Sequence, residues 1–211
     1  MNKVGRQKRF FVWTLLFICL AFTIWGSFSN KAIALSDFDG DGVSDLKENE
    51  LASAYAPYLN FAAGEQFFPT RIEYHLANSF LKQMFPNGTS IVKDSSPTLG
   101  EISLYLTEDY YLDNQLGGLQ GIADSYKLEK DTYGYRVYTR VTKDSENFVV
   151  QYWFFYAFNP GIINQHEGDW EMVEIILDLS ETPLYATYSQ HFLGERASWN
   201  DVEKLNETHP I

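Results

Sequence analysis

Residues 151–174 read QYWFFYAFNPGIINQHEGDWEMVE. Two apolar runs flank one turn here, and their pairing decides the fold. The first run is aromatic and strand-like, and Asn159-Pro160-Gly161 marks the turn. A polar cluster, His166-Glu167-Gly168-Asp169-Trp170-Glu171, then opens the second apolar run. In a strand successive side chains alternate, so Asp169 and Glu171 point to one side and Trp170 to the other. Gly168 lets the backbone bend, which brings His166 round to the side of the two carboxylates. Asn159 lies across the turn and His191 at the end of the next apolar run. One imidazole and two carboxylates, with Asn159 and His191 as further ligands, make a candidate second divalent-metal site. Carboxylates favour calcium, magnesium or manganese, and the imidazole shifts the choice towards manganese or zinc. The same groups also suit acid–base chemistry, or a solvated turn whose charges cap strand ends.

Working outward, the C-terminal half is dominated by strand patterns. Residues 133–141 (YGYRVYTRV) alternate, 142–147 form a turn, and 148–158, 169–179 and 184–191 read as further strands. Successive antiparallel strands joined by short polar turns predict a mainly β fold, an antiparallel β-sandwich with one or two flanking helices (α+β). Upstream, Ile72, Leu76, Phe80 and Met84 recur every four residues and predict an amphipathic helix over 71–85. His75 falls on it and reads as a core histidine rather than a ligand. Residues 85–98 read as a loop, 101–106 as a short strand or helix start, and 113–124, rich in glycine, as a flexible loop.

The most specific motif is 37–48, DFDGDGVSDLKE. It fits the twelve-residue calcium loop at every key position. Asp37, Asp39 and Asp41 supply carboxylates at positions 1, 3 and 5, and Gly42 allows the sharp turn. Val43 offers its carbonyl, Asp45 sits at position 9, and Glu48 is placed for bidentate binding. A helix through about Tyr55 follows and Pro57 ends it. With no entering helix, the loop resembles the single calcium loops of dockerin and thrombospondin type 3 repeats. The bland alternative is a flexible acidic linker. Calcium is the expected cofactor, in the structural role of clamping the N-terminus.

The chain has 211 residues, 45% of them hydrophobic and 17% aromatic, enough for one domain with a real core. The first 34 residues hold five basic side chains and no acidic one, leaving 11 basic against 28 acidic residues, net −17, in the rest. Such a surface repels nucleic acid and attracts cations, so no nucleic-acid partner is expected. Basic residues precede the apolar run 10–25 (FFVWTLLFICLAFTIW), and Ala32-Ile33-Ala34 fits a cleavage pattern. Residues 1–34 therefore read as a signal peptide, or as a membrane anchor if uncleaved, and the protein as secreted or extracytoplasmic. The single cysteine, Cys19, lies in that run, so neither disulfides nor thiol chemistry serve the domain. Asn87-Gly88-Thr89 and Asn206-Glu207-Thr208 match the glycosylation sequon. The expected organisation is 1–34 export segment, 35–50 calcium loop and 51–211 β-rich domain.

The blocks YAPYL (55–59) and EQFFPT (65–70), together with HEGDWE, resemble Vps62-like proteins over roughly residues 52–211. HEGDWE is also similar to the G-H-R-H-D-W-E signature of NPP1-type, necrosis- and ethylene-inducing proteins. Those are secreted β-sandwich cytolysins that hold a divalent cation and bind plant sphingolipid head groups. That resemblance puts His166, Asp169 and Glu171 on metal-site positions. Gly168 stands where that family has a second histidine, Glu167 where it has arginine, and Asn159 where an aspartate is usual. Vps62-like proteins continue past the equivalent of 208–211, so the resemblance implies a domain incomplete at its C-terminus. Three functions follow as expectations. The first is an exported calcium-binding protein that takes a small-molecule, lipid or glycan ligand at a second metal. The others are a metal-dependent hydrolase and a surface protein in which calcium only orders the N-terminus. A nucleophile elbow and an HExxH helix are both missing from the sequence, which weighs against the hydrolase.

Overall fold

A computed structural model describes residues 36–161, 164–190 and 193–211. The export segment, with Cys19, and His191 lie outside the described residues. Among the described residues, no helix is long and apolar enough to cross a membrane.

The fold is mainly β, with antiparallel sheets and few helices. Its centre is a five-stranded antiparallel sheet in sequence order, β4 (Tyr138–Lys143), β5 (Asn147–Asn159), β6 (His166–Asp178), β7 (Pro183–Gln190) and β8 (Leu193–Ser198). β5 and β6 are each 13 residues long and pair from Asn147↔Asp178 to Asn159↔His166. Their length follows from composition, since aromatic and β-branched side chains fit a pleated surface, and along much of both strands buried positions alternate with partly exposed ones. A second sheet has the order β2 (Ser90–Asp94), β1 (Ser79–Met84), β3 (Tyr110–Asn114), and a short hairpin joins β9 (Lys204–Leu205) to β10 (His209–Pro210).

Helices lie against β4 and β5: α1 (Asp45–Ala54), α2 (Ile72–Ala77) and the long α4 (Gly118–Tyr133). One core gathers Leu51 of α1 with Val150, Tyr152, Phe154, Ile175 and Leu177 of the central strands. The Tyr152 hydroxyl donates to Ala52 O at 2.9 Å, which ties α1 to β5. A second core, Phe67, Tyr74, Ile122, Tyr126, Ala157 and Phe158, sits under the far end of β5. There β4 has ended, and the segment around Thr70 takes its place, with Thr70 N donating to Phe155 O at 2.9 Å.

Several expectations change. The helix read over 71–85 stops at Ala77, and Ser79–Met84 is β1. A four-residue spacing is also a multiple of the strand period, so Phe80 and Met84 fit either element. Pairing with both β2 and β3 settles the choice, and Ser79 and Leu81 are the buried positions. The glycine-rich loop read over 113–124 holds the end of β3 and the first turns of α4. Its glycines stand at the helix N-terminus, and Ile122 and Tyr126, four apart, carry its buried face. Residues 133–137 belong to α4 and its exit, so the strand read from 133 begins at Tyr138. The loop read over 85–98 contains β2. Of the two readings of 101–106, the helix holds as α3 (Leu99–Ile102), with a capping box between Thr98 and Glu101.

Ile175 is fully buried on β6, whereas Val92 on β2 is about half exposed. Chemical denaturation will show Ile175→Ala less stable by roughly 2–5 kcal/mol. Val92→Ala will stay within about 0.5 kcal/mol of the parent chain.

Candidate functional site

The loop before α1 builds itself from short side-chain-to-backbone bonds. Asp37 accepts from Gly40 N at 2.8 Å and from Gly42 N at 3.0 Å. Asp41 accepts from Val43 N at 2.9 Å, and Asp45 from Phe38 N at 3.0 Å. Gly42 stands at φ +91°, a conformation that a side chain would strain. Ser44 caps α1 by accepting from Lys47 N. The result gathers ligand atoms of Asp37, Asp39 and Asp41 within 4.8 Å of one another. The second carboxylate oxygen of Asp41, Oδ2, is buried without a protein hydrogen-bond partner. Glu48 lies close enough to feel all four aspartates: burial first, then Asp39, Asp41, Asp45 and Asp37, raise its pKa above the ordinary carboxylate value. Three gathered aspartates, one of them with an orphaned buried oxygen, fit a hard divalent cation, while Asp45 and Glu48 stand outside that tight group.

Val43 has a second part beyond its carbonyl. Its side chain is buried in the main core together with Leu51. The loop is thereby pinned to the sheet. Lys47 adds ion pairs to Glu50 and to Glu181, each at 2.9 Å, the latter reaching the turn after β6.

The second candidate sits at the β5–β6 turn. Cross-strand register sets Asp169 opposite Tyr156 and Glu171 opposite Phe154. Trp170 projects to the other face, where its ring meets Phe155 at 5.1 Å and Tyr138 at 5.5 Å. Gly168 sits at φ +61° and breaks the alternation. Beyond that bend His166 comes to the side of Asp169, with Nε2 3.8 Å from Asp169 Oδ1. Asn159 completes the group: its Nδ2 donates to Asp169 Oδ2 at 3.2 Å and lies 3.4 Å from His166 Nε2. Glu171 shares the face, and its carboxylate accepts from Ser189 Oγ on β7. Asn159, His166 and Asp169 are thus brought together. Glu171 is not drawn into a ligand group as tight as that of Asp37, Asp39 and Asp41, the one such group of three among the described residues.

Asp169 and Glu171 line a cleft with Asn159, Glu65, Tyr156, Phe158 and Phe61. Burial first, then the negative charges of Glu171, Glu65 and Asp169, push the Tyr156 hydroxyl up to about 12. Sequence reading missed Glu65 and Tyr156 as site residues. Tyr156 was recoverable, because antiparallel register from the turn sets it opposite Asp169. No local signal marks Glu65, which arrives from a distant segment.

A buried polar cluster backs the bend. Glu167 turns to the other side and accepts from Asn114 N of β3 at 2.5 Å, and burial raises its carboxyl pKa. Asn114 Nδ2 lies 3.5 Å from His75 Nδ1, and the His75 ring meets Phe155 edge-on. A Cβ on Gly168 would come within 3.4 Å of His75 Nε2. His75 is therefore a core histidine, as its sequence context predicts.

No family model, curated protein or solved structure matches the chain.

Burial lowers the His75 pKa from 6.5 to about 4, so the folded state holds the neutral ring. This contribution is complete above about pH 6.5 and is lost as pH falls towards about 4, on the order of 3 kcal/mol in all. Denaturation at a series of pH values will show that loss shallower by up to one proton in His75→Gln. Equal slopes in the two proteins would contradict a buried neutral ring.

Proposed function

We propose that this chain is an exported, calcium-stabilised β-rich protein that takes the head group of a lipid or glycan beside Asn159, Asp169 and Glu171. The observation that carries the calcium half is the loop 37–48. Three aspartate ligand atoms lie within 4.8 Å of one another, and one buried carboxylate oxygen lacks a protein partner. Carboxylates held so close repel one another, and a divalent cation turns that cost into binding energy. Asp37, Asp39, Asp41, the Val43 carbonyl, Asp45 and Glu48 are the proposed ligands. All are oxygen donors, which selects calcium over zinc.

Export rests on the sequence: five basic residues and an apolar run of 16 precede an A-x-A pattern. Outside the cytoplasm a weak calcium site, with Kd on the order of 10⁻⁴–10⁻³ M, still fills. The Vps62-like resemblance agrees with a β-rich domain and adds no mechanism.

The ligand half rests on the cleft. Aromatic walls and a few convergent polar groups are the usual make-up of a small-molecule site. A second divalent cation at His166, Asp169 and Glu171 is the other reading, favoured by the Asn159–His166–Asp169 contact set.

Isothermal titration of the mature protein tests the proposal. Calcium will bind one site at least about tenfold tighter than magnesium, and Asp41→Ala will lose it. Calcium binding unaltered in Asp41→Ala would refute the loop as its site. A second class of divalent site, lost in Asp169→Ala, would carry the second reading.

A further inference from the structure

The cleft beside the β5–β6 turn says more about its ligand. Three carboxylates line it, Glu65, Asp169 and Glu171, and so do the rings of Phe61, Tyr156 and Phe158. The aromatic residues come from two directions. Phe61 belongs to the segment after α1 and is 37% exposed at the rim, and Phe158 is buried on β5. No lysine or arginine is among the described lining residues. The carboxylates are spread around the cleft and are not drawn into a ligand group like that of the N-terminal loop. A bare divalent ion needs oxygens about 2–2.6 Å from one centre. An alkylammonium group is several ångströms wide, spreads its charge over methyl or methylene groups, and is held by aromatic faces as well as by carboxylates.

The protein's charge favours the same class. The chain after residue 34 carries a net −17, which draws cations towards a negatively lined cleft. Two anchors fix the acidic groups in place: Ser189 holds Glu171, and Asn159 holds Asp169. Glu65 is braced by its own backbone, accepting from Gln66 N and Phe67 N at 2.9 Å.

We propose that the cleft formed by Glu65, Asp169, Glu171 and the rings of Phe61, Tyr156 and Phe158 binds an organic cation of the quaternary-ammonium type. This rests on the reading of the cleft as a head-group site and names its ligand class. Such a group occurs free, as in choline, or on a phosphatidylcholine surface.

The test is calorimetric or NMR titration with calcium saturating throughout, so that the loop stays loaded. Choline is compared with 3,3-dimethylbutan-1-ol, which has the same shape without the charge. Choline will bind at least about tenfold more tightly than the neutral analogue. Glu171→Gln and Phe61→Ala will each weaken choline by several-fold while leaving calcium binding and the far-ultraviolet spectrum unchanged. Phe61 lies at the rim, so its variant folds even if changes deeper in the cleft do not. Flotation with phosphatidylcholine vesicles, compared with phosphatidylglycerol vesicles, separates the two sources: selective flotation assigns the lipid, and choline binding without flotation assigns the free cation. Equal binding of choline and its neutral analogue would overturn the charge argument and leave a head-group site standing. No binding of either, with manganese titrating a site lost in Asp169→Ala, would overturn the organic cation and assign the cleft to a metal. No binding of any of these probes would overturn both the inference and the head-group reading beneath it.

Discussion

The pairing of β5 with β6 is the constraint on which the rest depends. Their shared register runs the length of both strands, from Asn147↔Asp178 to Asn159↔His166. It places the apolar face of Val150, Tyr152, Ile175 and Leu177 under α1, and it sets Tyr156 and Asp169 opposite each other at the other end. A slip by one residue would send every one of these side chains to the wrong face. One residue, Gly168, interrupts the alternation at φ +61°. With it Glu167 turns towards Asn114 and β3, while His166 comes to the side of Asp169. A single bend therefore serves two ends, tying the small sheet to the large one and gathering the polar group at the turn.

Charge is the second organising theme. Like-charged carboxylates are concentrated at two places, the loop before α1 and the cleft at the β5–β6 turn. Their local geometries differ. In the loop, backbone N–H groups of Gly40, Gly42 and Val43 hold the aspartates so that one oxygen of each lies within 4.8 Å of the others. In the cleft, the acidic groups are held apart by separate partners on β5 and β7 and are interleaved with aromatic rings. Tight oxygens suit a small hard ion, and spaced oxygens among rings suit a larger, softer cation.

What was legible in the sequence is what depends on neighbours along the chain. The loop 37–48 announced itself because its acidic residues lie two to four residues apart. Four of the five strands of the central sheet were visible as aromatic and β-branched runs, whereas β8 (LGERAS) carries no such run and was not read. Period-two alternation alone separated Trp170 from Asp169 and Glu171. Less was legible where distant segments decide. Residues 79–84 carry a spacing that suits helix and strand equally, and only pairing with β2 and β3 makes them β1. The glycines at 117–121 masked the start of α4, because composition does not tell a loop from a helix entrance. Glu65, the Glu167–Asn114 bond and the burial of His75 all depend on contacts more than thirty residues apart, which no local pattern encodes.

We propose that one cation, held by the loop, stabilises the whole domain, because Val43 joins that loop to the core of the sheet. Thermal unfolding with calcium at about 100 times its Kd, against the same protein in chelator, tests this most directly. The predicted result is one cooperative transition, raised by roughly 5–10 °C with calcium and unmoved by it in Asp41→Ala. Calcium that binds without moving the transition, or a loop that melts separately from the sheet, would contradict it.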